Sequence, residues 1–190
     1  MFAFKKKYFL LIENTKNINI KNIKKYNKFI IIYRNLNIKE SLYDLKRFRK
    51  RCKLKSIKFY VANDIKLAIS LNSDGIYLSS YNKTFKALFL KKLNYKIIGS
   101  AHNISEIYSK FNQGCSYILF SKLFKVDYTK HSPYLGIVKF NKFINSISKN
   151  LIPLGGIKAS NLSSLKNINS KGFAIMSEIK KKPAISNRLF

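Results

Sequence analysis

Acid is scarce in this chain: eight Asp and Glu stand against 38 Lys and Arg over 190 residues. The carboxylates can be placed one by one, at Glu13, Glu40, Asp44, Asp64, Asp74, Glu106, Asp127 and Glu178. Cysteine is almost absent. Cys52 and Cys115 make no metal-ligand spacing and no disulfide framework, and they suit a reducing cytoplasm. No stretch approaches the roughly 18 uninterrupted apolar residues of a membrane span. The opening Met1-Phe2-Ala3-Phe4-Lys5-Lys6-Lys7 carries its charge after its apolar residues, the reverse of an export signal, and none is expected. No Gly-rich dinucleotide fingerprint follows the first apolar run, which counts against an open doubly wound sheet. No Pro-rich linker divides the chain, so residues 1–190 are read as one domain.

What is abundant is lysine, and the formal charge is +30. Such a field attracts phosphate. Only five of the 38 basic residues are Arg, the residue suited to forked contacts with phosphates and bases. The lysines are spread along every segment, and Lys, Asn and Ile are all written with A and T alone. The charge is therefore read as compositional and a nucleic-acid partner is disfavoured, although a small phosphorylated molecule would still be drawn in. A homo-oligomer stays open.

Short apolar and β-branched runs recur at Tyr8–Ile12, Phe29–Tyr33, Ile57–Ala62, Gly75–Leu78, Tyr95–Gly99, Tyr117–Phe120, Leu151–Gly155 and Phe173–Met176. Their length and continuity fit strands of a parallel sheet covered on both faces. Between them lie helical stripes: Leu42, Leu45, Phe48; Leu67, Ala68, Leu71; Ile104, Ile107, Phe111; and Phe140, Phe143, Ile144, Ile147. Asn103 with Glu106 three residues on predicts a helix start. The alternation predicts a (β/α)8 TIM barrel of about 24 residues per unit, near the lower limit for that fold. The short polar tail after Ile179 predicts a shortened last helix.

In such a barrel the chemistry sits at the carboxyl ends of the strands. The polar residues there are Arg34 and Asn35, Asn63 and Asp64, Ser79, Ser80 and Asn82, Ser100 and His102, then Ser121, Lys122, Asp127, Thr129, Lys130 and His131. Gly155-Gly156 follows the seventh run and Met176-Ser177 closes the eighth, the habitual phosphate position of these barrels. Asp64 suits either a helix N-cap or a metal ligand. His102 is read as satisfying a backbone group, with an acid–base role as the alternative, His131 as an exposed loop residue and Lys122 as a surface lysine.

Several of these pieces form a longer pattern. Phe59-Tyr60-Val61-Ala62-Asn63-Asp64, Leu67-Ala68, Ser73-Asp74-Gly75-Ile76-Tyr77-Leu78, Gly99-Ser100-Ala101-His102, Tyr117–Ser121, Thr129-Lys130, Leu135-Gly136, Ile152-Pro153-Leu154-Gly155-Gly156-Ile157 and Ile175–Ile179 stand in order over nearly the whole chain. The pattern resembles the thiamine phosphate synthase/TenI family. The resemblance implies a (β/α)8 barrel joining a pyrimidine diphosphate to a thiazole phosphate with loss of pyrophosphate. It implies that Arg34, Ser100 and Lys130 contact the diphosphate substrate, that Asn63 holds the pyrimidine and that Asp64 binds magnesium. Thr129, Gly155-Gly156 and Met176-Ser177 would hold the thiazole phosphate. Departures from the family pattern are Ile32 and Leu36 around Arg34, Ile65 for the second acid of Asn-Asp-Asp, Asn82 for the second magnesium acid, and Asp127 for a threonine. These leave two alternatives: a TenI-like tautomerase, whose catalytic histidine would fall near Lys122, and a non-catalytic binder of a phosphate ligand or nucleic acid.

Overall fold

Eight parallel strands close into a barrel in chain order, β1 pairing with both β2 and β8. The structure is a computed structural model that describes residues 7–23, 26–35, 40–126, 133–147 and 150–176. The strands are β1 (Lys7–Ile12), β2 (Phe29–Tyr33), β3 (Lys58–Ala62), β4 (Gly75–Leu78), β5 (Lys96–Ala101), β6 (Tyr117–Ser121), β7 (Leu151–Leu154) and β8 (Gly172–Ile175). The (β/α)8 expectation holds, with strand ends moved by a residue or two.

Alternation along each strand sorts the core into two shells. Phe9, Leu11, Ile30, Ile32, Tyr60, Tyr77, Ile98, Leu119, Ile152 and Ala174 point one way and fill the barrel. Their neighbours, among them Tyr8, Leu10, Phe29, Ile31, Phe59, Ile76 and Ile118, face outward onto the helices. This two-sided burial is why the strands read as continuous apolar runs.

The four helical stripes become α1 (Leu42–Leu54), α2 (Ile65–Ser70), α3 (Ile104–Asn112) and α4 (Gly136–Ser146). All are too short to persist alone, so packing of one face holds them. Leu45, Phe48 and Cys52 of α1, Ala68 of α2, Ile107 of α3, and Phe140 and Ile144 of α4 are buried. Three starts are capped by side chains. Ser41, Asp64 and Asn103 accept from the N–H of Asp44, Leu67 and Glu106 at 3.1, 2.9 and 2.8 Å.

Other connections use 3-10 helix. Between β4 and β5 it spans Lys86–Leu93, burying Ala87 and Leu90, three residues apart as that helix requires. Short 3-10 turns also join β1 to β2 and β7 to β8. The shortened helix expected after β8 falls outside the described residues. Among the described residues no helix is long and apolar enough to cross a membrane.

Candidate active site

The carboxyl ends of the eight strands lie on one face of the barrel, so the polar residues that follow them converge by construction. The sharpest corner follows β3. Asn63 has φ +59°, a left-handed conformation that asparagine tolerates better than most residues. Its N–H donates to Tyr77 O at 2.8 Å. Its side chain is held on both ends: Oδ1 accepts from Ser79 N at 3.0 Å and Asn82 Nδ2 at 3.1 Å, while Nδ2 donates to Ser79 Oγ at 3.1 Å. These bonds tie the end of β3 to the loop after β4.

Asp64 follows, with Oδ1 on Leu67 N at 2.9 Å. Its capping role is therefore real, and the same carboxylate lines an open cleft of about 480 Å³ with Asn63, Lys66, Asn82, Thr84 and Lys86. Four other acids are engaged elsewhere. Asp74 pairs with Arg49 and Lys58 at 3.1 and 2.9 Å, Glu40 accepts from Thr15, and Asp44 and Glu106 serve helix starts.

For a divalent cation the donors are sparse. No group of three or more His, Cys, Asp or Glu that could hold a metal occurs among the described residues. Asn82 Oδ1 accepts from Thr84 N and Oγ1 at 3.0 and 3.1 Å, and two lysines line the cleft. Asp64 keeps its second oxygen. Magnesium commonly takes one or two carboxylates with water and substrate phosphate oxygens, so a single-carboxylate anchor fits.

A second group lies over the barrel centre. Arg34, anchored through its N–H to Ile12 O at 2.8 Å, reaches toward Met176 Sδ at 3.9 Å. Buried Ser100 is hydrogen-bonded to Tyr77, whose phenol is pushed above its ordinary range by burial, with Ser100 and the Arg34 charge opposing. Ser100 stands within β5, not after it, which is why it reaches inward. Tyr77 does not stand among the polar residues that follow the strands, where site residues are expected. Its signal was a polar group at an inward position of an otherwise apolar strand.

At β7, Gly155 and Gly156 have φ +96° and +66°, where a Cβ is strained. A Cβ on Gly155 would stand 3.2 Å from Lys122 Cα, and one on Gly156 would stand 2.6 Å from Phe124 O. The turn is thus glycine by conformation and by close approach. Lys122, expected at the surface, is half-buried.

His102 corrects another expectation. Its exposed ring does not satisfy a backbone group; Nδ1 shares a hydrogen bond with Ser121 Oγ at 2.7 Å. Its backbone N–H donates to Glu106 Oε2 at 2.7 Å. Thr129, Lys130 and Ser177, with Asp127, His131 and Glu178, lie outside the described residues. So Arg34, Asn63, Asp64, Ser100, Gly155, Gly156 and Met176 are placed on the expected face.

Lys110, on α3, is buried, and desolvation holds its pKa below the usual lysine value against opposing effects of Cys115 and Glu106. It bonds the loop that carries Asn82.

The chain is similar to known proteins over much of its length. It is 31% identical over 144 residues to a thiamine-phosphate synthase of Prochlorococcus marinus, covering 74% of this chain and 40% of that relative. It is 32% identical over 137 residues to the thiamine-phosphate synthase of Pelagibacter ubique, covering 70% of this chain and 64% of the relative. The chain thus spans about two fifths of the Prochlorococcus relative's length. The fold is similar to that of thiamine phosphate pyrophosphorylase from Pyrococcus furiosus, with TM-score 0.70, 15% identity and 97% of each chain covered. It is also similar to that of 3-keto-L-gulonate-6-phosphate decarboxylase from Vibrio cholerae, with TM-score 0.64, 14% identity, and 97% and 96% covered. The thiamine monophosphate synthase family model matches residues 16–179, and the chain belongs to that family.

Proposed function

We propose that this protein joins a hydroxymethylpyrimidine diphosphate to a thiazole phosphate, forming thiamine phosphate and releasing pyrophosphate. The observation that carries the reading is the cleft after β3 and β4, where Asn63, Asp64 and Asn82 meet at the barrel mouth. The curated relatives named above carry the synthase name, which favours transfer over the tautomerase and binder alternatives.

In this reaction the bond between the pyrimidine methylene and the diphosphate oxygen breaks, and its electron pair leaves with pyrophosphate. The thiazole nitrogen then forms the new bond to the methylene carbon. The barrier is charge separation, so fixed cations and dipoles aimed at the departing group lower it. Arg34 and Lys130 would neutralise the diphosphate. Asn63 and Ser100 would orient the pyrimidine substrate, and their partners Ser79, Asn82 and Tyr77 hold them in place. Asp64 would hold a magnesium ion through its free oxygen; bound there, the ion supplies charge neutralisation to the diphosphate. The N–H groups of the Gly155-Gly156 turn, with Thr129, Met176 and Ser177, would hold the thiazole phosphate. Lys66 and Lys86 on the cleft wall add positive potential for both anions.

The test is direct. Purified protein with both substrates and magnesium should yield thiamine phosphate, read as fluorescent thiochrome after oxidation. Binding of both substrates with no product over hours would overturn the synthase reading.

A further inference from the structure

Lys110 is 1% exposed, an unusual position for lysine. Its stem crosses β5 at Gly99, where a Cβ would stand 2.8 Å from Lys110 Cδ and 2.8 Å from Cys115 Sγ. A glycine inside a strand weakens it, and here the missing side chain makes room for the lysine.

The ammonium makes two directed bonds. Nζ donates to Asn82 O at 2.6 Å and to Gln113 Oε1 at 2.8 Å. Gln113, also buried, donates from Nε2 to Asn82 O at 2.9 Å and to Thr84 O at 2.8 Å. Two side chains from the end of α3 therefore grip two carbonyls of the loop between β4 and its 3-10 helix. The tip of that loop has little packing of its own, Tyr81 being 84% exposed and Lys83 and Thr84 exposed, so hydrogen bonds hold it. On its other side Asn82 donates to Asn63 Oδ1. The path from buried cation to cleft is thus three groups long, Lys110 to Asn82 O, then Asn82 Nδ2 to Asn63. A methionine would fill the lysine's volume without desolvating an ammonium, so what the lysine adds is the directed bond.

We infer that Lys110 and Gln113 are positioning residues that hold Asn82, and through it Asn63, in the geometry that receives the diphosphate substrate. The inference rests on the proposed function for its ligand and on the hydrogen-bond path for its mechanism. It sets the β3–β4 side of the site apart from the β7–β8 side, which the pair does not touch.

The test uses full-length protein and two variants, Lys110→Met and Gln113→Leu. Titration calorimetry measures inorganic pyrophosphate with magnesium, and separately thiazole phosphate. Hydrogen exchange follows the segment 79–85. Loss of a charge-assisted bond predicts roughly 10-fold weaker pyrophosphate binding by Lys110→Met. Thiazole phosphate binding should stay within about 2-fold, and exchange at 79–85 should quicken while β4 and β5 keep their protection. Gln113→Leu should do the same to a smaller degree, and it keeps the test alive if Lys110→Met does not fold. Equal weakening of both ligands would reduce the pair to core stability and overturn the inference. Unchanged pyrophosphate binding would overturn it too. If the unmodified protein binds neither ligand, the synthase reading fails on its own account, and unchanged exchange at 79–85 then overturns the positioning path as well.

Discussion

Replacing Asp64 by asparagine and, separately, by alanine divides two roles held by one side chain. Oδ1 caps α2 through Leu67 N at 2.9 Å, and the residue also lines the cleft. Asparagine caps about as well as aspartate, whereas alanine forfeits about 1 kcal/mol. For a chain of this size that corresponds to roughly 2–4 °C in Tm. Asp64→Asn should therefore melt close to the unmodified protein, and Asp64→Ala a few degrees lower. Both remove the only carboxylate that lines the cleft among the described residues. A metal anchor supplies several kcal/mol of charge stabilisation, so kcat/KM should fall roughly 100-fold or more in both. The assay is thiamine phosphate formation across a magnesium titration, with thermal unfolding in parallel. If Asp64→Asn turns over like the unmodified protein with the same magnesium dependence, the carboxylate is a helix cap and nothing more. If only Asp64→Ala loses activity, the loss comes from the helix start.

Three further outcomes are expected. Gly155→Ala places a Cβ at φ +96° and 3.2 Å from Lys122 Cα; it should cost roughly 1–3 kcal/mol and raise KM for the thiazole phosphate more than for the pyrimidine diphosphate, read by thermal unfolding and initial rates. Tyr77→Phe strands the buried Ser100 hydroxyl, and urea unfolding should show a loss of roughly 1–3 kcal/mol. Burial pushes the Cys52 and Cys115 thiols from 9.0 up to about 12. Both should resist an aromatic disulfide reagent until the protein unfolds. Because the unfolded thiols lose protons near 9 while the folded ones keep theirs to about 12, the unfolded state binds fewer protons in that window and stability should fall as pH rises through it.

Legibility differed by element for physical reasons. The stripes of α1 to α4 were readable because one apolar face and a capping side chain are local features. The 3-10 stretch Lys86–Leu93 was not, since Lys-rich sequence with two buried positions carries little helical period. The pairing of His102 with Ser121 was not either. It follows from parallel register, in which Ala101 lies opposite Phe120, so the next residues meet. Lys110 was invisible among many lysines, yet its place three residues after Ile107 set it on the buried face of α3.

By itself the sequence determined the strands, four helices, the glycine turn and the polar residues at strand ends, because period, propensity and turn chemistry act over a few neighbouring residues. Only the tertiary structure decided that Asp64 both caps a helix and faces a cleft, that Tyr77 joins Ser100, and that Lys110 lies inside under the Asn82 loop. Those outcomes depend on which segments barrel closure brings side by side, and the cost of burying a charge is met only by partners far away in the chain.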